Sequence, residues 1–107
     1  MSWRIWPWDP DYSLPAEARD EEKMLAVRLG EQALRTIEDN LVRQASKRSS
    51  KVLRVVTLAM EADGYSFHDA ACFELHLRCL ICVVESGRLV GLGNLRRPGF
   101  SEVSLPG

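Results

Sequence analysis

Residues 73–99 read FELHLRCLICVVESGRLVGLGNLRRPG, and the assignment of this stretch decides the fold. From Phe73 to Ser86 the apolar residues Leu75, Leu77, Cys79, Leu80, Ile81, Cys82, Val83 and Val84 surround a helical axis. The polar residues are Glu74, His76, Arg78, Glu85 and Ser86. A helix apolar on nearly every side belongs inside a core. Gly87 supplies its stop. Arg88 to Leu92 then reads as a strand, Gly93 to Gly99 as a turn rich in Gly, Asn and Pro, and Phe100 to Leu105 as a second strand. A lone hairpin is marginal in water, so Leu89, Leu92, Val103 and Leu105 need helices as a second layer.

Toward the N-terminus, Lys51 to Ala62 carries Val52, Leu53, Val55, Val56, Leu58, Ala59 and Met60 with only a narrow polar strip, and reads as a second core helix. Ser49 and Ser50 are its candidate N-caps, and Asp63-Gly64 its stop. Ser66 followed by Asp69 has the form of a capping box opening a short helix around Phe67 to Cys72. Three helices followed directly by a hairpin predict a winged helix-turn-helix arrangement.

The segment ESGRLVGLGNL entering the hairpin and the closing FSEVSLPG carry a resemblance. Through them, residues 51–107 resemble the C-terminal domain of a bacterial family of unknown function, DUF3658. The resemblance implies a winged-helix-type fold and brings no established catalytic residues. Nothing in residues 1–48 takes part in it.

Those first residues divide in two. Residues 1–14 hold Trp3, Trp6, Trp8 and Tyr12 around Pro7 and Pro10, whose missing N–H groups make an extended or turning arm. Trp is enriched at protein interfaces, so these four aromatics are the candidate partner contacts, against packing on the chain's own helices as the alternative. Residues 15–48 read as one long amphipathic helix. Pro15 sits in its first turn, and Glu17, Asp20, Glu21 and Glu22 favour the positive end of its dipole. Val27, Leu34, Ile37, Leu41 and Ala45 form one stripe, with Gly30 on the same stripe. The helix runs either unbroken to Ser46 or bent near Asp39 and Asn40. The expected fold is therefore α+β and mainly helical, one compact domain with an arm (1–14), a long helix (15–48) and a winged-helix-like module (49–107).

Composition limits the function classes. With 107 residues, 12.1 kDa, 46% apolar and 27% charged residues, the chain is one globular domain long. No run approaches the roughly 18 apolar residues of a membrane span, and MSWRIWPWDP lacks the apolar region of a signal peptide, so a cytoplasmic location is expected. All three cysteines lie between Cys72 and Cys82, which argues against a disulfide framework. The net charge of −1 hides a basic block of Arg43, Lys47, Arg48, Lys51 and Arg54 in an otherwise acidic chain.

Each kind of chemistry was weighed on its residues. A winged helix reads DNA through its third helix, but Phe73 to Ser86 offers one strong base reader, Arg78, beside two carboxylates. Phosphate contacts from Arg43, Lys47, Arg48 and Lys51 with Arg88, Arg96 and Arg97 would give weak, salt-sensitive, sequence-blind binding. His68, Cys72, His76 and Cys79 fall on one helical stripe but span about 16 Å, too far for one zinc ion. Cys72 and His76 supply the residue types of a nucleophile pair without a recognisable oxyanion turn. Gly91-Leu92-Gly93 precedes no helix, so it is not a dinucleotide fingerprint. The sequence thus predicts a non-enzymatic protein–protein interaction module of a bacterium or phage, of adaptor, immunity or inhibitor type. It would use no cofactor or metal, and its partner would be another protein or a second copy. The alternative is a weak DNA-binding regulator.

Overall fold

A computed structural model describes residues 11–66 and 68–107. The fold is α+β and mainly helical, with elements in the order α1 (Asp20–Leu29), α2 (Glu31–Gln44), β1 (Ser50–Lys51), α3 (Val52–Ala62), α4 (Ala70–Glu85), β2 (Val90–Leu92) and β3 (Glu102–Ser104). The three short strands form one antiparallel sheet in the order β1-β3-β2. Gly91 faces Val103 in one pair and Ser50 faces Val103 in the other. No helix among the described residues is long and apolar enough to cross a membrane.

The axis of the molecule is α4, nine of whose 16 residues are buried. Its enclosure follows from its composition, since no stripe of it could face water without exposing several large apolar side chains. Ile37 and Leu41 of α2, and Val52, Val55, Val56, Ala59 and Met60 of α3, join Phe73, Leu77, Leu80 and Val83 of α4 in one core. Leu89 and Val103 bring the sheet to that core, as the hairpin reading requires, whereas Leu92 points outward at 55% exposure. It belongs to an edge strand with a free face.

Two helix stops fall where the sequence places them. Beyond α3, Gly64 N–H donates to Glu61 O and Tyr65 N–H to Met60 O, with Gly64 at φ 81. Beyond α4, Gly87 N–H donates to Val84 O and Arg88 N–H to Val83 O, with Gly87 at φ 87. Both satisfy the carbonyls left over at a helix end through a left-handed glycine.

Four local expectations are corrected. The helices expected at Phe67 to Cys72 and Phe73 to Ser86 are one: Asp69, not Ser66, is the N-cap, its side chain accepting from Cys72 N–H at 3.1 Å. Two helices, not three, therefore follow residue 49. Ser50 is no cap but a strand residue paired with Val103, because the sheet needs the backbone groups at that point. Pro15 does not open a helix. Residues 15–19 form an extended strap, since the Pro15 and Ala16 carbonyls are taken by the Arg78 guanidinium instead of by a helical ladder. Finally, the long helix neither runs unbroken to Ser46 nor bends near Asp39 and Asn40; it breaks at Gly30, with φ 87 and ψ 169, a backbone region that side-chain-bearing residues avoid.

Phe73 has no exposed surface and joins α4 to the N-terminal segment through Tyr12. Phe73→Ala is expected to lower unfolding free energy by about 3–5 kcal/mol in urea denaturation, with little change in m-value.

Candidate interaction surface

The sequence-predicted contact residues separate into three groups. Trp3, Trp6 and Trp8 lie outside the described residues. Tyr12 is not a surface anchor: it is 7% exposed and meets the Phe73 ring edge-on, centroids 5.6 Å apart. Burial, with Glu74 nearby, pushes its phenol pKa up, and its hydroxyl has no hydrogen-bond partner among the described residues. Tyr12 thus takes the alternative of packing on the chain's own helices, just beyond Pro10.

The basic residues form the second group. Arg43, Lys47, Arg48, Lys51 and Arg54 are all exposed, from the end of α2 through the following loop into the first turns of α3. Lys51 lies 3.8 Å from Glu102 across the β1-β3 pair. Among the described residues, no carboxylate forms an ion pair with Arg43, Lys47, Arg48 or Arg54. The remaining arginines are spent elsewhere. Arg88 pairs with Asp39 at 3.0 Å, Arg96 Nε donates to Leu14 O at 2.8 Å, and the Arg97 guanidinium stacks 4.5 Å over the Phe100 ring. The structure therefore does not unite the seven basic candidates in one patch of free cations.

The third feature was not legible in the sequence. The N-terminal segment covers α4 through two ion pairs of opposite polarity: Arg19 binds Glu74, and Glu22 binds Arg78 Nε at 2.6 Å. Glu74 and Glu22 are almost wholly buried. Arg78 also donates to Pro15 O at 2.9 Å, so the one base-reading side chain of α4 is fully committed. Leu14 completes the cover with no exposed surface, its N–H donating to Arg96 O at 2.7 Å. Glu74 and Arg78 are four apart on α4, which puts them on one helical face, while Arg19 is the extended N-cap of α1 and Glu22 lies in its first turn. That spacing is the signal that could have been read, had the partner segment been known. Beside this contact, an open cleft of about 420 Å³ lies between Ala16, Arg78, Ile81, Cys82, Glu85 and the turn at Gly93–Arg96.

The cysteine and histidine candidates sit on the opposite flank of α4. His76 is wholly buried, its Nδ1 placed 2.8 Å from Cys72 O and its Nε2 3.5 Å from Asp63 Oδ2. Asn40 holds the other Asp63 oxygen, and the Tyr65 ring stands edge-on to the imidazole at 5.2 Å. Cys72 Sγ lies 3.8 Å from His76 Nδ1, but burial pushes its thiol up to about 12, and that of Cys79 likewise. A protonated, enclosed thiol is a poor nucleophile. His68 precedes α4 and does not join the stripe. Among the described residues, no group of three or more His, Cys, Asp or Glu is placed to hold a metal ion.

Comparison with known protein families, with curated proteins and with solved structures finds no match for this chain.

Two outcomes follow from this geometry. Arg78→Met removes the partner of a Glu22 side chain that is 3% exposed, and is expected to cost about 3 kcal/mol of stability by denaturant titration, the lower end because Arg78 is itself partly solvated. Burial holds the His76 pKa below its ordinary 6.5, so near that pH the unfolded chain binds the proton and the folded chain does not. Stability then falls as pH drops through about 6.5, and thermal melts between about pH 7.5 and 5.5 should show a steeper loss for the native chain than for His76→Gln.

Proposed function

We propose that this chain is a non-enzymatic protein–protein interaction module with a winged-helix-type core, of the adaptor, immunity or inhibitor kind. The element order α2-β1-α3-α4-β2-β3 with sheet order β1-β3-β2 supports the winged-helix reading, one helix displaced from the sequence-based assignment: α2, α3 and α4 take the three helical places. On that reading α4 is the helix that would enter a DNA groove. The observation that carries the function is that α4 is enclosed. Its Glu74 and Arg78 are held by Arg19 and Glu22, nine of its 16 residues are buried, and the residues it leaves exposed are Cys82 and Glu85. A helix so covered offers a groove no free Arg, Lys, Asn or Gln to read a base edge.

The same winged-helix-type core is what the resemblance of residues 51–107 to DUF3658 implies, a resemblance that rests on the hairpin residues already quoted. Among the described residues, the exposed large apolar side chains are Met24, Val27, Val90, Leu92 and Phe100, and Trp3, Trp6 and Trp8 remain the proposed anchors for a protein partner.

A second reading has one specific support: the exposed Arg43, Lys47, Arg48 and Arg54 without ion-pair partners among the described residues. They would bind nucleic acid through phosphates alone, and four such contacts give a salt slope of roughly −3.6 in log K against log salt.

Selection from a randomised duplex library at physiological salt is expected to enrich no sequence. Any residual retardation should be lost when Arg43, Lys47, Arg48 and Arg54 are replaced by Ala. An enriched site bound tightly and resistant to salt would overturn the protein-binding reading in favour of a DNA regulator.

A further inference from the structure

Residues 12–29 are attached to the rest of the molecule as a separable piece. Apart from contacts with the neighbouring α2, their named bonds go to α4 and the loop after β2: Arg19 to Glu74, Glu22 and the Pro15 carbonyl to Arg78, Leu14 to Arg96, and Tyr12 to Phe73. A single residue, Gly30, joins this piece to α2. A Cβ built on Gly30 would meet nothing within 4 Å, so the bend is not wedged open by packing; it is held by one backbone conformation, φ 87 and ψ 169.

The sequence around that bend also encodes a straight form. Val27, Gly30, Leu34, Ile37 and Leu41 follow one helical stripe through the junction, yet the bend strands Val27 at 84% exposure and Met24 at 72%. A helix running from Asp20 to Gln44 would return Val27 to the stripe. It would also lift residues 12–29 off their own α4, leaving Leu14 and Leu25 without cover and Glu74 without its cation. The surface thus opened calls for an apolar segment with a cation opposite Glu74 and a carboxylate opposite Arg78. The same segment of a second copy has both, at the same spacing.

We propose that this chain can form an exchanged dimer in which α1 and α2 run straight through Gly30 and residues 12–29 of each copy close over α4 of the other. Exchange of identical elements reuses contacts already present in the monomer and closes with two-fold symmetry, so it needs no new interface chemistry. A one-residue hinge favours it further, because a change at a single position releases the whole piece. The inference stands independently of the protein-binding reading above, since it concerns the hinge and its cover alone.

The test begins with Gly30→Ala, which disfavours the bend and favours the helix without creating a clash. Light scattering after size exclusion should show self-association at least roughly tenfold tighter than for the native chain. Two further variants identify the interface. Gly30→Ala with Arg19→Glu and Gly30→Ala with Glu74→Arg each oppose like charges when alone, whereas their mixture restores both ion pairs, but only between copies. Dimers of mixed composition, with helical circular dichroism regained on mixing if either variant is unfolded alone, are the expected result. Gly30→Ala remaining monomeric at every concentration would overturn the proposal. So would charge-reversed variants that dimerise as well alone as mixed, or a mixture that gains neither dimer nor helix.

Discussion

Enclosure of α4 is the constraint from which the rest of the architecture follows. A helix carrying Phe73, Leu75, Leu77, Leu80 and Val83 on several sides at once cannot lie on a surface, and each such side chain contributes about 1.5–3 kcal/mol by leaving water. Helices α2 and α3 and the sheet cover part of it. The remaining face carries Glu74 and Arg78, and it is closed by the strap and α1, which supply the opposite charges in the same chain order. Without that segment, the molecule would hold a half-buried carboxylate and a half-exposed apolar groove along its central helix.

The two ion pairs act more on register than on net stability. Desolvating Glu74 and Glu22 costs several kcal/mol, which the pairing returns only when geometry is good, so a buried pair adds little over an apolar contact of the same shape. Its asymmetry is what matters. A strap displaced by one residue would bury unpaired charges, whereas a purely apolar strap could slide. The arrangement of opposite signs on α4 therefore specifies one seating for residues 12–29 and no other. The same specificity bears on function, because it ties Arg78, the base-reading side chain of α4, to Glu22 and the strap, while the exposed Arg43, Lys47, Arg48 and Arg54 lie on another part of the surface.

Where the sequence was legible, the determining physics was local. Gly64 and Gly87 end helices because a left-handed residue satisfies the last carbonyls whatever surrounds it. The apolar girdle of residues 73–86 predicts burial without reference to a partner, and two strand-like stretches flanking the Gly-, Asn- and Pro-rich turn of residues 93–99 predict a hairpin. Where reading failed, two local solutions competed. Ser66 and Asp69 are both good caps, and the choice of Asp69 depends on the helix being packed as one rod. Ser50 has cap chemistry but is claimed by Val103 of β3, fifty-three positions further along the chain. Pro15 suits a first helical turn, yet Arg78 takes the carbonyls such a turn would need.

The amino-acid order alone thus settled a single mainly helical α+β domain, an apolar central helix, the stops that bound it and the closing hairpin, since each depends on periodicity or on backbone preferences within a few residues. It could not settle what lies against α4, that Tyr12 and Leu14 are both buried, that Lys51 belongs to a strand, or that Gly30 is a corner rather than a point on a straight helix. Those choices balance terms of similar size from segments more than fifty residues apart, and such a balance is struck only when the segments are brought together in three dimensions.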